Sequence, residues 1–259
     1  MTYTTAPQWE TVAYTAENGV GTVTLNRPNQ RNALNLKMAQ ELYAVVKHAE
    51  ADESVRVVLF RGVGPSFCAG ADLKERAGVT EAWLRNRRTT AFAAYNAIQW
   101  CEKPCIAVAH GPVIGSGCEI ATACDFIIAS EKASFRYPEA VWGSVGASQR
   151  LPRIVGRAMA KELLFTGRTI GAAEALHLRL VNRVVAPDAL EASVAETVAM
   201  ILKAFPLSVR LAKRCIDIGT ESDLRTGMDY ELLAIDRCLA DQEWKSGVAA
   251  FAERHKTVG

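Results

Sequence analysis

From residue 20 to residue 185, short apolar runs alternate with longer segments whose apolar positions recur at helical spacing. Val20–Leu25 alternates as a half-buried strand does, whereas Val55–Phe60, Ile106–Ala109 and Phe126–Ala129 are nearly continuous apolar runs. Val181–Val185 is the last strand expected. Asn35–Glu50 carries Leu36, Ala39, Leu42, Val45, Val46 and Ala49 on one helical face, and Thr80–Trp100 and Ser116–Cys124 read as further helices. Strands that alternate with helices pair mainly in parallel, and a parallel sheet is covered on both faces, hence the continuous apolar runs. The expectation is an α/β fold. After residue 187 the strands stop: Pro187–Ala204, Pro206–Gly219, Asp223–Ala240 and Gln242–Glu253 all read as helices, with no long linker before them.

The 259 residues fit one large domain, or one domain with a small appendage. Hydrophobic residues at 49% supply a substantial core, and 22% charged residues point to a soluble chain. A net charge of +2 is too small to argue for a nucleic acid or an acidic membrane as partner. The densest basic spot, Arg85, Arg87 and Arg88, reads as a solvated helix face. No apolar run approaches the ~20 residues of a membrane span, and no secretory signal is expected. Seven cysteines without disulfide-like or zinc-like spacing read as reduced thiols of a cytoplasmic protein, and no metal is expected.

Three segments carry chemistry. In Gly-Pro-Val-Ile-Gly-Ser-Gly-Cys-Glu (111–119) a glycine-rich turn around Gly115 and Ser116 opens a helix. The first N–H groups of a helix lack intrahelical partners, so such a turn can bind phosphate, hold a cofactor or stabilise an oxyanion. A dinucleotide fingerprint is excluded, because Ile120 stands where its third glycine belongs. Glu119 falls in the first helical turn among Cys118, Ile120 and Ala121, where burial favours an acid–base role. Ser-Phe-Arg-Tyr-Pro-Glu (134–139) ends on a second carboxyl, Glu139. In Phe-Cys-Ala-Gly-Ala-Asp-Leu (67–73) the small residues Cys68, Ala69, Gly70 and Ala71 let backbone approach a ligand, and Asp72 suits a structural cap. Two carboxyl groups beside two glycine turns are the equipment for moving a proton next to a carbonyl.

In their order and spacing these segments resemble the crotonase (enoyl-CoA hydratase/isomerase) superfamily. The resemblance begins at Val-Thr-Leu-Asn-Arg-Pro-Asn-Gln-Arg-Asn-Ala-Leu (23–34) and includes 67–75, 115–119, Cys124-Asp125 and 135–139. It runs on through Leu-Phe-Thr-Gly-Arg (164–168) and Leu-Val-Asn-Arg-Val-Val (180–185) to Phe-Ala-Glu-Arg-His-Lys near the end. It implies a spiral of ββα units over residues 1–195 and a helical trimerisation region over 196–259. The assembly implied is a trimer or a dimer of trimers, and the substrate an acyl-CoA thioester, with CoA arriving as part of it and no cofactor. The thioester oxygen would be held by the N–H groups of Ala71 and Ser116, and Glu119 and Glu139 would be the acid–base pair. Asn29, Gln30 and Arg31 match the segment lining adenine and pantetheine. Ala69, Gly70, Asp72, Leu73 and Gly115 would belong to the substrate- and CoA-binding set, and Lys74 and Arg254 match positions near the CoA phosphates. Two retained glutamates favour hydration of the α,β double bond. A double-bond isomerase, a C–C lyase and a non-catalytic CoA-binding protein are the alternatives.

One departure bears on the acyl group. The run 140–151 is shorter than the family pattern before Gln-Arg-Leu and lacks its proline and paired glycines. Trp142, with Arg136 and Tyr137, either belongs to core and rim or shapes a pocket for an unusual acyl group. The helix bearing Trp83, Arg87 and Phe92 is a second candidate wall.

Overall fold

The computed structural model of the chain describes residues 9–242 and 244–248. Its larger sheet has six strands in the order β1-β2-β3-β4-β6-β9, where β1 is Val12–Glu17, β2 Val20–Leu25, β3 Val57–Gly62, β4 Cys105–Ala109, β6 Phe126–Ser130 and β9 Arg183–Val185. The first pair is antiparallel and every later pair parallel. A smaller sheet joins β5 (Pro112–Ile114), β7 (Ser134–Arg136) and β8 (Thr169–Gly171). Strand β1 goes beyond the sequence expectation. It turns into β2 through Asn18 and Gly19, both at positive φ, the pairing that a two-residue hairpin demands.

Both faces of the larger sheet are covered. Val58 and Phe60 of β3 enter one core cluster with Leu42, Val45 and Val46 of α1 (Leu36–Ala51). Val57 and Leu59 point the other way, onto Leu190, Val194 and Val198 of α7 (Leu190–Lys203). A period of two along the strand thus feeds two cores, which is why no polar position interrupts Val57–Phe60. The cap of α1 is local: the Asn35 side chain accepts the Met38 N–H at 2.9 Å.

The chain advances by a repeated step. A strand enters the larger sheet, the next extended segment leaves toward the smaller one, and a helix follows. Strands β4 and β5 precede α3 (Ser116–Ala123), and β6 and β7 precede α4 (Arg150–Val155) and α5 (Arg157–Thr166). One step earlier, β3 is followed by Cys68, bridged in parallel to Val113, and then by α2 (Glu81–Gln99). Earlier still, β2 is followed by Leu34, bridged to Ala71, and then by α1. These bridges stack the turns 67–73 and 111–116 side by side. Buried Asn32 locks the stack: its amide donates to the Val63, Ser66 and Phe67 carbonyls at 2.9, 2.9 and 3.2 Å. A short α6 (Ala172–His177) leads to β9.

The tail is helical, with α7, α8 (Pro206–Thr220) and α9 (Leu224–Ala240). Residues 244–248 are helical too, and the rest of the helix expected to Glu253 lies outside the described residues. Along α9 the exposed Leu224, Met228, Leu232, Ile235 and Leu239 form one apolar stripe. Among the described residues no single helix is long and apolar enough to cross a membrane.

Candidate active site

A cavity of about 610 Å³ opens where the stacked turns meet α2 and the 138–146 loop. Ala69, Gly70, Ala71, Leu73, Gly115, Ser116, Glu119, Glu139 and Trp142 of the sequence-predicted set all line it. The turn Pro28–Gln30 and Arg31 adjoin its floor, since the Arg31 carbonyl accepts the Ala69 N–H at 2.9 Å. Lys74 is exposed beside it. The Asp72 side chain is taken up by Arg27 at 2.9 Å and by the Lys74 N–H at 3.1 Å, and it does not cap the short helical turn Lys74–Arg76, which starts from Leu73 without a side-chain cap. Arg254 lies outside the described residues.

Two backbone donors face the cavity. The Leu34 N–H donates to the Gly70 carbonyl at 2.8 Å, and the Asp72 N–H donates to the Leu34 carbonyl at 2.9 Å. Residue 71 lies between these bonds, so its own N–H points to the opposite side, toward the cavity. Ser116 is the first residue of α3, after Gly115 at φ +48, and its N–H is one of the helix's orphan donors. The spacing of the donors depends on Gly117: a Cβ there would stand 2.5 Å from the Cys68 carbonyl oxygen.

The carboxyl groups have unlike surroundings. Glu119 is buried, and both its oxygens are engaged: one accepts the Ala147 N–H at 2.7 Å, the other Arg150 Nη1 at 3.1 Å. Arg150 is itself held by Gln99 and Asn96, each at 2.8 Å. Glu139 is half-buried, but its Oε2 is closed to solvent and has no hydrogen-bond partner among the described residues. Burial pushes the Glu139 carboxyl above its ordinary pKa, and the nearby Glu119 adds to the rise. Two glycines crowd it, for a Cβ at Gly115 would lie 3.0 Å from its Oε1 and one at Gly146 2.8 Å from its Cγ. The Glu139 carbonyl accepts the Ser144 and Trp142 N–H groups at 2.8 and 3.1 Å, which curls the short run after it into a tight turn. Trp142 stands at the rim, 65% exposed.

Sequence reasoning missed Arg150, Ala147 and Tyr95. Arg150 sits in the Gln-Arg-Leu run already noted, but its pairing with Glu119 spans 31 residues. The Tyr95 phenol meets the Ser116 hydroxyl, and burial raises its pKa. The basic spot on α2 departs from the solvated face expected of it: Arg87 is 4% exposed, paired with Glu75 at 2.9 Å and bonded to the Leu34 carbonyl. Of the second candidate wall, Arg87 and Phe92 line the cavity and Trp83 does not.

Residues 15–258 match the family described as Enoyl-CoA hydratase/isomerase. The chain belongs to this family. The Short-chain-enoyl-CoA hydratase of Clostridium acetobutylicum is 38% identical over 247 residues, covering 94% of this chain and 95% of its own. The crystal structure of an enoyl-CoA hydratase from Bacillus anthracis superposes with a TM-score of 0.91 at 36% identity, covering 95% and 97% of the two chains. A Thermobifida fusca relative in complex with CoA gives a TM-score of 0.83 at 32% identity, covering 89% and 93%. With these neighbours the repeated strand–strand–helix step is the crotonase spiral.

Proposed function

We propose that the chain is an enoyl-CoA hydratase, adding water across the α,β double bond of an acyl-CoA thioester. The observation that carries the reading is the pair of carboxyls in one cavity, one engaged by an arginine and a backbone N–H, the other half-buried with its Oε2 enclosed and unpartnered among the described residues. The names of the family's relatives and the CoA-bound neighbour support the substrate class. The Ala71 and Ser116 N–H groups hold the thioester oxygen, where negative charge develops. Glu119 takes a proton from the water whose oxygen bonds to Cβ. Glu139, whose pKa is raised by its burial, gives its proton to Cα. The π pair becomes the new Cα–H bond through the enolate, and the product has gained one water. The step uses side chains, backbone and water, with CoA as part of the substrate.

The test is mass spectrometry on a panel of 2-enoyl-CoA thioesters. Gain of one water is expected, and a shifted alkene or a shortened acyl group would move the assignment to an isomerase or a C–C lyase. CoA binding without turnover of any panel member would support a binding protein instead. Assembly belongs to the same reading: the apolar stripe of α9 covers a neighbouring copy, giving a trimer or a dimer of trimers. A monomer by sedimentation of the full chain would overturn that part.

A further inference from the structure

Arg85, Arg88, Phe92 and Tyr95 recur at helical spacing along the face of α2 that lines the cavity. Tyr95 marks the reacting end, since its phenol meets the Ser116 hydroxyl and the Glu119 charge acts on it. At the helical rise, Arg88 stands about 10 Å and Arg85 about 15 Å farther along the axis. The stretch between is apolar, Ala91 and Phe92. Arg76 joins this far wall from the turn after residue 73, and its Nε is buried without a partner among the described residues. Few acids stand near these cations. Glu75 is committed to Arg87 and to the Leu36 N–H, leaving Glu81 as the acid of this part of the lining. Among the described residues, Arg76, Arg85 and Arg88 make no ion pair and no side-chain hydrogen bond. Burial lowers the Arg76 pKa, and Arg87 and Arg88 act on it as like charges against Glu75 as the opposite one. Exposed Arg85 and Arg88 alone would be an ordinary surface. A guanidinium nitrogen enclosed in the same wall, with no acceptor, makes it a receptor for an anion.

Resting on the hydratase reading, we propose that the preferred acyl group carries a carboxylate at its far end. The substrate is then the CoA hemithioester of an unsaturated dicarboxylic acid, with its double bond at Glu119 and Glu139 and its free carboxylate on Arg76 and Arg88. The apolar stretch at Phe92 suits the methylenes between, and a planar guanidinium matches a carboxylate edge to edge. The other source of negative charge is the CoA itself, whose phosphates would be common to every thioester tested.

The experiment compares kcat/KM for trans-2-hexenedioyl-CoA and trans-2-hexenoyl-CoA, which differ only at the terminal carboxylate. The wild type favours the first by about tenfold or more, and Arg76→Met or Arg88→Met each removes about a factor of ten of that preference. A wild type that favours hexenoyl-CoA overturns the proposal. So do variants that lose equally on both substrates, which would put these cations on the CoA phosphates. Binding of adipoyl-CoA and hexanoyl-CoA by calorimetry reads the preference without turnover. Tighter adipoyl-CoA binding in a protein that hydrates nothing sinks the reaction and keeps the carboxylate site. Equal binding sinks the site, whatever the reaction.

Discussion

The two walls that carry the carboxyls are built in opposite ways. Glu119 stands on a helix inside the core, with Cys118 and Ile120 beside it at 0% exposure and a donor on each oxygen. Glu139 stands at the head of a short turn whose other members, Val141, Trp142 and Val145, are 52–82% exposed. One wall surrounds its carboxyl with donors. The other leaves a buried carboxyl oxygen without one, and burial raises the Glu139 pKa. Identical side chains thereby acquire different surroundings, because donors favour the charged form of a carboxyl and desolvation disfavours it.

The largest effects should come from removing either carboxyl. Glu119→Gln and Glu139→Gln are each expected to lower kcat by about 10²–10⁴-fold. They part on stability. A glutamine at 119 offers one acceptor where Ala147 and Arg150 are two donors, so a donor is left facing the amide and Arg150 loses its counter-charge. Urea unfolding should show a loss of up to about 3 kcal/mol. Glu139→Gln disturbs no hydrogen bond at the buried Oε2. Because the folded pKa of Glu139 is raised, its contribution to stability is full below the unfolded value and is lost as pH rises through the folded one. At neutral pH the Glu139→Gln protein should therefore be at least as stable as the wild type. Equal destabilisation of the two variants would break the contrast between the walls. The Ser116→Pro variant removes the orphan N–H at a first helical position that accepts proline, and should lower kcat by about 10²–10³-fold with the fold intact.

Methyl groups added at the two glycine contacts sharpen the comparison at lower amplitude. Gly117→Ala drives a Cβ against the Cys68 carbonyl, a backbone atom that cannot step aside. It should cost about 1–3 kcal/mol in chemical unfolding and part the Ala71 and Ser116 N–H groups. Gly146→Ala meets only the Glu139 side chain at 2.8 Å, on the exposed turn. Its signature should be kinetic, a fall in kcat of about 10²-fold or less with little change in the unfolding midpoint. If Gly146→Ala destabilised the chain as Gly117→Ala does, the turn would be as rigid as the helix wall.

What could be read beforehand follows the range of the interactions. The long parallel strands and α1 announce themselves because their faces are buried and periodic. Gly115 and the small residues 68–71 mark the donor turns by a local steric need. Strand β1 did not stand out by pattern, since only Val12 of its six residues is buried; its clue was the Asn18-Gly19 pair. Strands β5, β7 and β8 have three residues each, too few for a period to show. Arg150 and Glu119 are joined by folding alone, and nothing local to either foretells the pair. The three arginines of α2 look alike in sequence, yet the turn at Glu75 buries Arg87 and leaves Arg85 and Arg88 exposed.

The smallest expected effect concerns Ser116 again. If the N–H is what serves the substrate, the hydroxyl is incidental to the charge that develops, and Ser116→Ala should keep kcat within about threefold of wild type. The hydroxyl still has a partner in the buried Tyr95 phenol, so its loss should appear as about 1 kcal/mol of stability. A fall in kcat for Ser116→Ala as deep as that for Ser116→Pro would mean that the side chain carries the proton or the charge. The helix wall would then act through a second side chain beside Glu119 rather than through a backbone N–H, and the division between the walls would have to be redrawn at this residue.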